Sequence, residues 1–176
     1  MILKLVRTPG IYLVGFMGSG KTTVGRLLAD RLGWDFADLD AEIEAAQHST
    51  IAQIFEERGE GYFRQLETEA IRKHTQMVRA GQPMVIALGG GAVLREENFE
   101  LLEDHGVTVW LDCPLDLARQ RVERETHRPL ARDPERFAAL YELRRPGYAR
   151  AAYRVEVRSN DPAETVAAIE ALPIFR

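Results

Sequence analysis

The residues with the clearest chemical signature form one short segment near the amino end of the chain. Residues 15–22 read Gly-Phe-Met-Gly-Ser-Gly-Lys-Thr and match G-x4-G-K-[ST], the pattern of a loop that cradles nucleotide phosphates. Its glycines let backbone amides wrap an anion, because they lack a Cβ and adopt left-handed dihedrals cheaply. The lysine would neutralise the β and γ phosphates, and the threonine hydroxyl would bind Mg²⁺. The pattern therefore predicts a site for a magnesium-bound nucleoside triphosphate.

Within and beside this loop we expect a defined set of nucleotide contacts. They come from Gly18, Ser19, Gly20, Lys21, Thr22 and Thr23. The helix that starts after the loop adds the positive end of its dipole. The loop alone does not identify the reaction, because motor, switch and kinase proteins share it. A GTP-specific switch would carry an Asn-Lys-x-Asp segment, and the sequence has none.

Two carboxylates, Asp38 and Asp40, follow the second predicted strand. Open α/β sheets bind ligands at the carboxyl ends of their strands. We expect Asp38 to hold Mg²⁺ through water and Asp40 to orient an attacking hydroxyl. The alternative is that Asp40 only caps a helix beginning at Ala41.

Three consecutive glycines, Gly89, Gly90 and Gly91, end the apolar run of residues 84–88. Three are more than a turn requires, so we expect this backbone to lie close against a ligand with its amides free to donate. The alternative is a strained loop without a function.

Three arginines stand where an anionic ligand could be held: Arg64, Arg128 and Arg144. Arginine is the usual two-pronged partner of carboxylates and phosphates. The alternative for each is a solvated surface position. Arg64 in particular has Glu60 and Glu67 at helical spacing and could form only a surface ion pair.

The elements that must position these residues follow from the apolar pattern. Short buried runs alternate with longer amphipathic segments, which is typical of a parallel sheet with crossover helices. Strands are predicted at residues 11–14, 34–37, 84–88, 107–111 and 153–157. A helix over residues 22–32 should end at Gly33. Thr50 and Gln53 have the spacing of a capping box, and Asp161 marks another helix start.

Length and composition limit the class of protein. The 176 residues, 45% of them hydrophobic, suit one domain with an ordinary core. With 27 acidic and 23 basic residues the net charge is -4, which argues against a nucleic-acid or membrane-surface partner. The single cysteine, Cys113, cannot form an internal disulfide, and no apolar run approaches the about 20 residues of a transmembrane helix. We expect a cytoplasmic protein, and a monomer.

In their order and spacing these motifs resemble the shikimate kinase family over nearly the whole chain. The phosphate loop is shared widely, whereas its combination with Asp-x-Asp, the triple glycine and the arginines is specific. The resemblance implies a three-layer α/β/α sandwich, a five-stranded parallel sheet and a mobile lid over residues 121–134. It also implies that the chain transfers the γ-phosphoryl of ATP to the 3-hydroxyl of shikimate, with Mg²⁺, in the route to chorismate and the aromatic amino acids.

The resemblance further assigns individual roles. Shikimate would be bound by Asp40, Arg64, Gly89, Gly90, Gly91 and Arg144. The two arginines would grip its carboxylate, and Lys21, Asp40 and Arg128 would be catalytic. Arg128 would meet the ATP phosphates from the lid. Arg121 and Pro162 are candidates for contacts with the adenine.

Two departures and two alternatives accompany this interpretation. Leu39 stands where the family often has a threonine or serine, and the segment from Arg158 to Pro162 is shorter than the adenine-contacting loop of some relatives. One alternative is a kinase of another small polyhydroxy acid such as gluconate. The other is a catalytically silent ligand sensor, against which the presence of Lys21, Asp40 and Arg128 argues.

Overall fold

The computed structural model of the protein describes residues 10–125 and 132–176. Five strands in these ranges form one parallel sheet: β1 (Gly10–Val14), β2 (Asp35–Asp38), β3 (Met84–Ala87), β4 (Val107–Asp112) and β5 (Tyr153–Glu156). Their order across the sheet is β2-β3-β1-β4-β5. Each predicted strand is present, with its ends within one residue of the prediction. The predicted α/β fold with a five-stranded parallel sheet is confirmed.

Seven helices of the described residues connect and cover the strands: α1 (Lys21–Leu32), α2 (Leu39–Gln47), α3 (Ile51–Arg79), α4 (Glu96–His105), α5 (Leu115–Glu123), α6 (Pro134–Tyr148) and α7 (Pro162–Glu170). Gly33 ends α1 in the left-handed conformation, at φ 68°. Thr50 and Gln53 form a capping box at the start of α3, and Asp161 caps α7. None of these helices combines the length and the apolar sequence needed to cross a membrane.

The two central strands are apolar because helices cover both faces of a parallel sheet. Every residue of β1 and β3 is buried, and α1 packs against β3 and α7. Leu13 of β1 lies between Ala87 of β3 and Val109 of β4. Because β2, β3 and β1 are adjacent and parallel, the three segments that follow them emerge at one edge of the sheet. These segments are the start of α2, the triple glycine and the phosphate loop.

The start of α2 corrects one alternative from the sequence. The helix begins at Leu39, and Asp38 is its cap: the Asp38 carboxylate accepts a hydrogen bond from the backbone amide of Ala41 at 3.2 Å. Asp40 lies inside the first turn. The hypothesis that Asp40 only caps a helix beginning at Ala41 is therefore wrong.

Helix α3 is interrupted in a way that the sequence did not predict. Gly59 has φ 82° and ψ 166°, outside the helical region, so the element consists of two helical segments joined at a kink. The second segment buries Phe63, Glu67 and Ile71, which are spaced four residues apart on one face. Phe63 packs with Ile43 of α2 in a small second core. This packing directs one face of α3 towards the triple glycine.

Candidate active site

The phosphate loop lies between β1 and α1 with its backbone in a conformation that glycine alone adopts readily. Gly15, Gly18 and Gly20 have φ values of 148°, 78° and 91°. A Cβ on Gly18 would also lie 2.5 Å from the carbonyl oxygen of Ala118 in α5. Ser19 is fully buried, whereas Thr23 is exposed in the first turn of α1. Backbone dihedrals and packing against α5 thus fix the loop without any ligand.

Lys21, the first residue of α1, is held over this loop. Its ammonium donates to the carbonyl oxygens of Gly15 at 2.8 Å and Phe16 at 3.0 Å. Both acceptors belong to the segment whose amides a phosphate would bind. The positive charge of Lys21 therefore lies beside the predicted phosphate position.

Thr22 and Asp38 meet at the start of α1. The Thr22 hydroxyl donates to Asp38 Oδ2 at 2.5 Å, which brings a hydroxyl and a carboxylate oxygen to one place. Mg²⁺ prefers oxygen ligands and keeps several positions for water and phosphate oxygens. Two protein oxygens beside a phosphate loop fit that requirement, so the residues that the sequence predicted for the metal are suited to it.

The glycines after β3 are required by space and not by backbone strain. None of Gly89, Gly90 and Gly91 has φ in the left-handed region, so the alternative of a strained loop is wrong. A Cβ on Gly89 would lie 2.6 Å from Asp40 Oδ1 and 2.8 Å from Glu67 Oε2. Such distances are far shorter than van der Waals contact. The carboxylates of Asp40 and Glu67 therefore lie in close contact with the backbone at Gly89, where a side chain would not fit.

Two arginines approach the other two glycines. A Cβ on Gly90 would lie 3.1 Å from Arg144 Nη1, and one on Gly91 would lie 2.6 Å from Arg64 Nη2. The structure thus brings Asp40, Arg64 and Arg144 together at the triple glycine, as the sequence predicted. The three side chains come from α2, α3 and α6, which are far apart in the sequence.

Arg64 forms one exposed and one buried ion pair. Its guanidinium donates to Glu60 at 3.2 Å and to Glu67 at 2.9 Å. The side chains are 17% exposed for Arg64, 65% for Glu60 and 1% for Glu67. The hypothesis of a surface ion pair therefore holds for Glu60 alone, and the guanidinium itself lies at Gly91.

Glu67 is a site residue that the sequence interpretation missed. Burial raises the pKa of its carboxyl, and the charge of Arg64 partly offsets that rise. Within the described part of the chain its buried Oε2 has no hydrogen-bond partner. The available signal was an acidic residue four positions from Phe63 and from Ile71, on the apolar face of a helix.

Tyr148 was also missed as a contributor to the site. Its hydroxyl donates to the carbonyl oxygen of Gly90 at 2.5 Å, which ties the end of α6 to the glycine loop. Burial raises the pKa of Tyr148 to about 12, so the hydroxyl keeps its proton near neutral pH. Arg144, one helical turn earlier, lies 5.9 Å from the centre of the Phe16 ring. Phe16 belongs to the phosphate loop, so α6 contacts both halves of the site.

The phosphate loop and the charged side chains at the triple glycine come together at Gly15. The carbonyl oxygen of Gly15 accepts from Lys21 and lies 3.7 Å from the position of a Cβ on Gly90. A phosphate in the loop and a small ligand at the triple glycine would therefore be neighbours. Such an arrangement can transfer a phosphoryl group between two bound ligands.

Arg121 links the phosphate loop to the segment before α7. Its guanidinium donates to the carbonyl of Gly18 at 3.1 Å, the carbonyl of Ser159 at 3.0 Å and the side chain of Asn160 at 3.1 Å. The structure thus places it at the loop, as expected for an ATP contact. Arg158 is exposed and lies 3.5 Å from a carboxylate oxygen of Glu156.

The predicted lid is described only at its two ends. Residues 121–125 close α5 and 132–134 lead into α6, and residues 126–131 lie outside the described ranges. Arg128 is among them. The lid and the position of Arg128 therefore stay predictions.

Comparison with known proteins agrees with this geometry. A family model described as shikimate kinase matches residues 17–172. The shikimate kinase of Nostoc punctiforme is 41% identical, over 97% of this chain and 94% of its own. A shikimate kinase from Acinetobacter baumannii, solved in complex with shikimate, superposes with a TM-score of 0.84 at 39% identity, covering 92% and 90% of the two chains. A gluconokinase from Sinorhizobium meliloti gives a TM-score of 0.57 at 18% identity, a likeness of fold alone.

Proposed function

The chain belongs to the shikimate kinase family, and from that premise we propose which of its residues bind each substrate and carry the reaction. Members of this family are ATP-dependent phosphotransferases with an alcohol as acceptor. The reaction moves the γ-phosphoryl group of ATP to the 3-hydroxyl of shikimate and yields 3-phosphoshikimate for chorismate and aromatic amino acid biosynthesis. The alternatives are a gluconate kinase and a catalytically silent sensor, and an acceptor assay distinguishes all three.

On the donor side, the glycine backbone of the phosphate loop binds the ATP phosphates, and Lys21 neutralises their charge. The positive φ values of Gly15, Gly18 and Gly20 support this role, because such a backbone can turn its amides towards an anion. Arg121, next to Gly18, is our candidate for the nucleoside end. Thr22 and, through water, Asp38 would hold Mg²⁺. When bound, the ion neutralises phosphate charge and orients the phosphates.

On the acceptor side, Arg64 and Arg144 bind the carboxylate of shikimate. Their guanidinium groups approach successive glycines of one loop, so a planar carboxylate can be reached by both. The amides of Gly90 and Gly91 contribute donors beside it. Asp40 and Glu67 lie at the neighbouring glycine and supply oxygens that accept from hydroxyl groups.

The transfer itself needs positioning and charge neutralisation more than covalent chemistry. The oxygen of the 3-hydroxyl forms a bond to the γ phosphorus, and the bond from that phosphorus to the oxygen bridging to the β-phosphate breaks. The proton of the hydroxyl passes to the carboxylate of Asp40, and ADP leaves with the bridging oxygen. Lys21 stabilises the charge that develops, and the sequence assigns Arg128 the same task.

One observation carries the proposal: two arginines and two carboxylates converge on a glycine loop next to the phosphate loop. Arginines select a carboxylate, and the carboxylates select hydroxyls, which together describe a small hydroxy acid. Gluconate shares those groups, so the acceptor must be tested directly.

The test is ADP release in a coupled assay with shikimate, gluconate or no acceptor, at equal ATP and Mg²⁺. We expect turnover with shikimate, and rates near the background with gluconate and without an acceptor. Comparable turnover with gluconate would contradict the assignment of the acceptor. Equal ADP release in all three assays would contradict acceptor phosphorylation altogether.

We also propose a cytoplasmic monomer that binds neither nucleic acid nor membranes. The buried thiol of Cys113 suits a reducing compartment, and the net charge of -4 disfavours anionic partners. Sedimentation at several protein concentrations would test the monomer, and a larger species at working concentrations would contradict it.

A further inference from the structure

Two adjacent arginines of α6 serve different regions of the molecule. Arg144 lies at Gly90 in the candidate active site. Arg145 points elsewhere, because successive residues of a helix are about 100° apart around its axis. It donates to Asp112 Oδ1 at 2.6 Å and to Oδ2 at 3.3 Å, a two-pronged contact with the last residue of β4.

The contact between Arg145 and Asp112 is well anchored at both ends. Asp112 is 7% exposed and ends β4, which lies between β1 and β5 in the sheet. Arg145 also donates to the hydroxyl of Tyr141 at 2.8 Å, and that hydroxyl donates to the carbonyl of Cys113 at 2.8 Å. Its guanidinium lies 5.0 Å from the centre of the Trp110 ring. One side chain therefore joins α6 to the carboxyl end of β4 by several interactions.

The turn of α6 that carries both arginines lacks part of its own support. Pro146 lies inside the helix and has no amide hydrogen, so it cannot donate to the carbonyl of Glu142. Without that hydrogen bond, the placement of this turn depends more on its tertiary contacts. Tyr148 fixes the end of α6 to Gly90, and Arg145 fixes the same turn to β4.

We propose that the ion pair between Asp112 and Arg145 positions the turn of α6 that carries Arg144, and thereby sets the affinity for the acceptor carboxylate. The inference rests on the proposed function, in which Arg144 binds that carboxylate. Arg145 is a positioning residue, because it acts through its neighbour and touches no reacting group. We expect the pair to affect binding of the acceptor more than binding of ATP.

Arg154 provides a matched control within the same cluster. It donates to Asp112 Oδ2 at 2.8 Å from β5, and its guanidinium lies 5.3 Å from the Trp110 ring. Strand β5 is already paired with β4, with Arg154 opposite Trp110 in the ladder. Removing Arg154 deletes the same charge from the same carboxylate, but Arg154 belongs to strand β5 and not to α6. A purely structural ion-pair cluster would respond alike to the loss of either arginine.

The first measurement is steady-state kinetics of Arg145→Met, Arg145→Lys and Arg154→Met. Arg145→Met should raise the KM for shikimate about threefold to tenfold, as coupling between adjacent groups commonly does. Its kcat and its KM for ATP should stay within about twofold, because the interaction acts on ground-state binding of the acceptor. Arg145→Lys should recover part of the affinity, and Arg154→Met should resemble the unsubstituted protein. Equal effects of Arg145→Met and Arg154→Met would overturn the inference.

The second measurement is a double-mutant cycle with Arg144→Ala. If Arg145 acts through Arg144, then Arg145→Met should add nothing to the KM for shikimate once Arg144 is absent. An additive loss would overturn the positioning role. If Arg144→Ala leaves the KM for shikimate unchanged, the role of Arg144 in the proposed function fails, and this inference fails with it. If Arg144→Ala raises that KM but Arg145→Met does not, only the inference fails.

The melting temperature of each variant is measured as a control, because a partly unfolded variant would also show a raised KM for shikimate. If Arg145→Met does not fold, Arg145→Lys and Asp112→Asn carry the same test. Each should raise the KM for shikimate and leave the KM for ATP unchanged. An unchanged KM for shikimate in both folded variants would reject the inference.

Discussion

The donor and acceptor halves of the active site are built in opposite ways. The phosphate loop is one continuous segment, and its shape comes from backbone dihedrals at Gly15, Gly18 and Gly20. The acceptor half gathers side chains from α2, α3 and α6 around a glycine loop that itself has no unusual dihedrals. One half is therefore organised by local backbone conformation and the other by packing between distant elements.

The difference follows from the ligands that each half must bind. A triphosphate carries a chain of equivalent oxygens, which repeated backbone amides can satisfy. A hydroxy acid has different groups in different directions, so it needs side chains of both charges at fixed places. A buried charge such as that of Glu67 must be paired with an opposite charge, here Arg64, so a change at one of these residues affects the other. The phosphate loop, which uses backbone amides, has no such dependence between side chains.

Lys21→Met removes the cation of the donor half. We expect phosphoryl transfer to fall by more than about a thousandfold, because preorganised charge stabilisation is a large part of such catalysis. The fold should persist, since the ammonium lies at the surface of the loop's backbone carbonyls and does not pack into the core. Rapid-quench measurement of phosphoshikimate, with circular dichroism as the control, tests this. Normal turnover by a folded variant would contradict the proposal that Lys21 neutralises the ATP phosphates.

Arg128→Ala tests the cation that the sequence assigns to the lid. We expect kcat to fall on the order of a thousandfold, because arginines that meet the transferring group act mainly in the transition state. Arg128→Lys should recover part of the rate, since lysine keeps the charge but not the planar fork. Thermal stability should scarcely change. Unchanged kcat in both variants would make Arg128 an ordinary surface residue.

Arg64→Ala removes one of the two arginines that we propose bind the carboxylate of the acceptor. The affinity for shikimate should fall about tenfold to a hundredfold, as for a lost charge-assisted pair of about 1.5–3 kcal/mol. ATP affinity should change far less, because Arg64 lies at Gly91 and not at the phosphate loop. Calorimetric titration of each ligand separates the two. Equal losses of affinity for shikimate and for ATP would show that Arg64 does not act on the acceptor half of the site alone.

Gly91→Ala tests whether space, and not backbone freedom, explains the triple glycine. The new Cβ would lie within 2.9 Å of three guanidinium atoms of Arg64, so the arginine must move. We expect the KM for shikimate to rise about tenfold, because a displaced contact costs on the order of 1.4 kcal/mol. Gly61→Ala is the matched control, since its Cβ would meet nothing within 4 Å. Similar kinetics in both variants would show that Gly91 has no steric role.

The smallest effect concerns stability against pH in the Arg64→Ala variant. Burial already raises the pKa of Glu67, and loss of Arg64 removes the charge that offsets it. A carboxyl whose pKa is higher in the folded state stabilises the fold below its unfolded pKa of about 4.3, and that stability is lost as pH rises through the folded pKa. The Tm should therefore fall with rising pH more steeply than in the unsubstituted protein. Adding Glu67→Gln should remove this extra slope, and a slope that persists would show that another group titrates.

Much of this molecule could be predicted from short stretches of sequence. The five strands, the capped helix starts and the end of α1 at Gly33 follow from apolar periodicity and local hydrogen bonding. The phosphate loop follows because its glycines, lysine and threonine are adjacent in the chain. The kink at Gly59 could not be predicted, because a glycine in a polar part of a helix is compatible with a continuous helix too.

The sequence by itself determined the apolar runs of the five strands, the phosphate loop, and Asp40, Arg64 and Arg144 as candidates for the triple glycine, but not Glu67 or Tyr148. Only the tertiary structure decided that Arg144 lies at Gly90 while Arg145 binds Asp112, and that Glu67 is buried beside Asp40. These contacts cannot be predicted from local sequence, because the residues that form them are far apart in the chain. Asp112 and Arg145 are 33 positions apart, and Arg121 and Gly18 are 103 apart. Which side of a helix faces which partner is set by packing across the whole sheet, and that information is distributed over every element in contact.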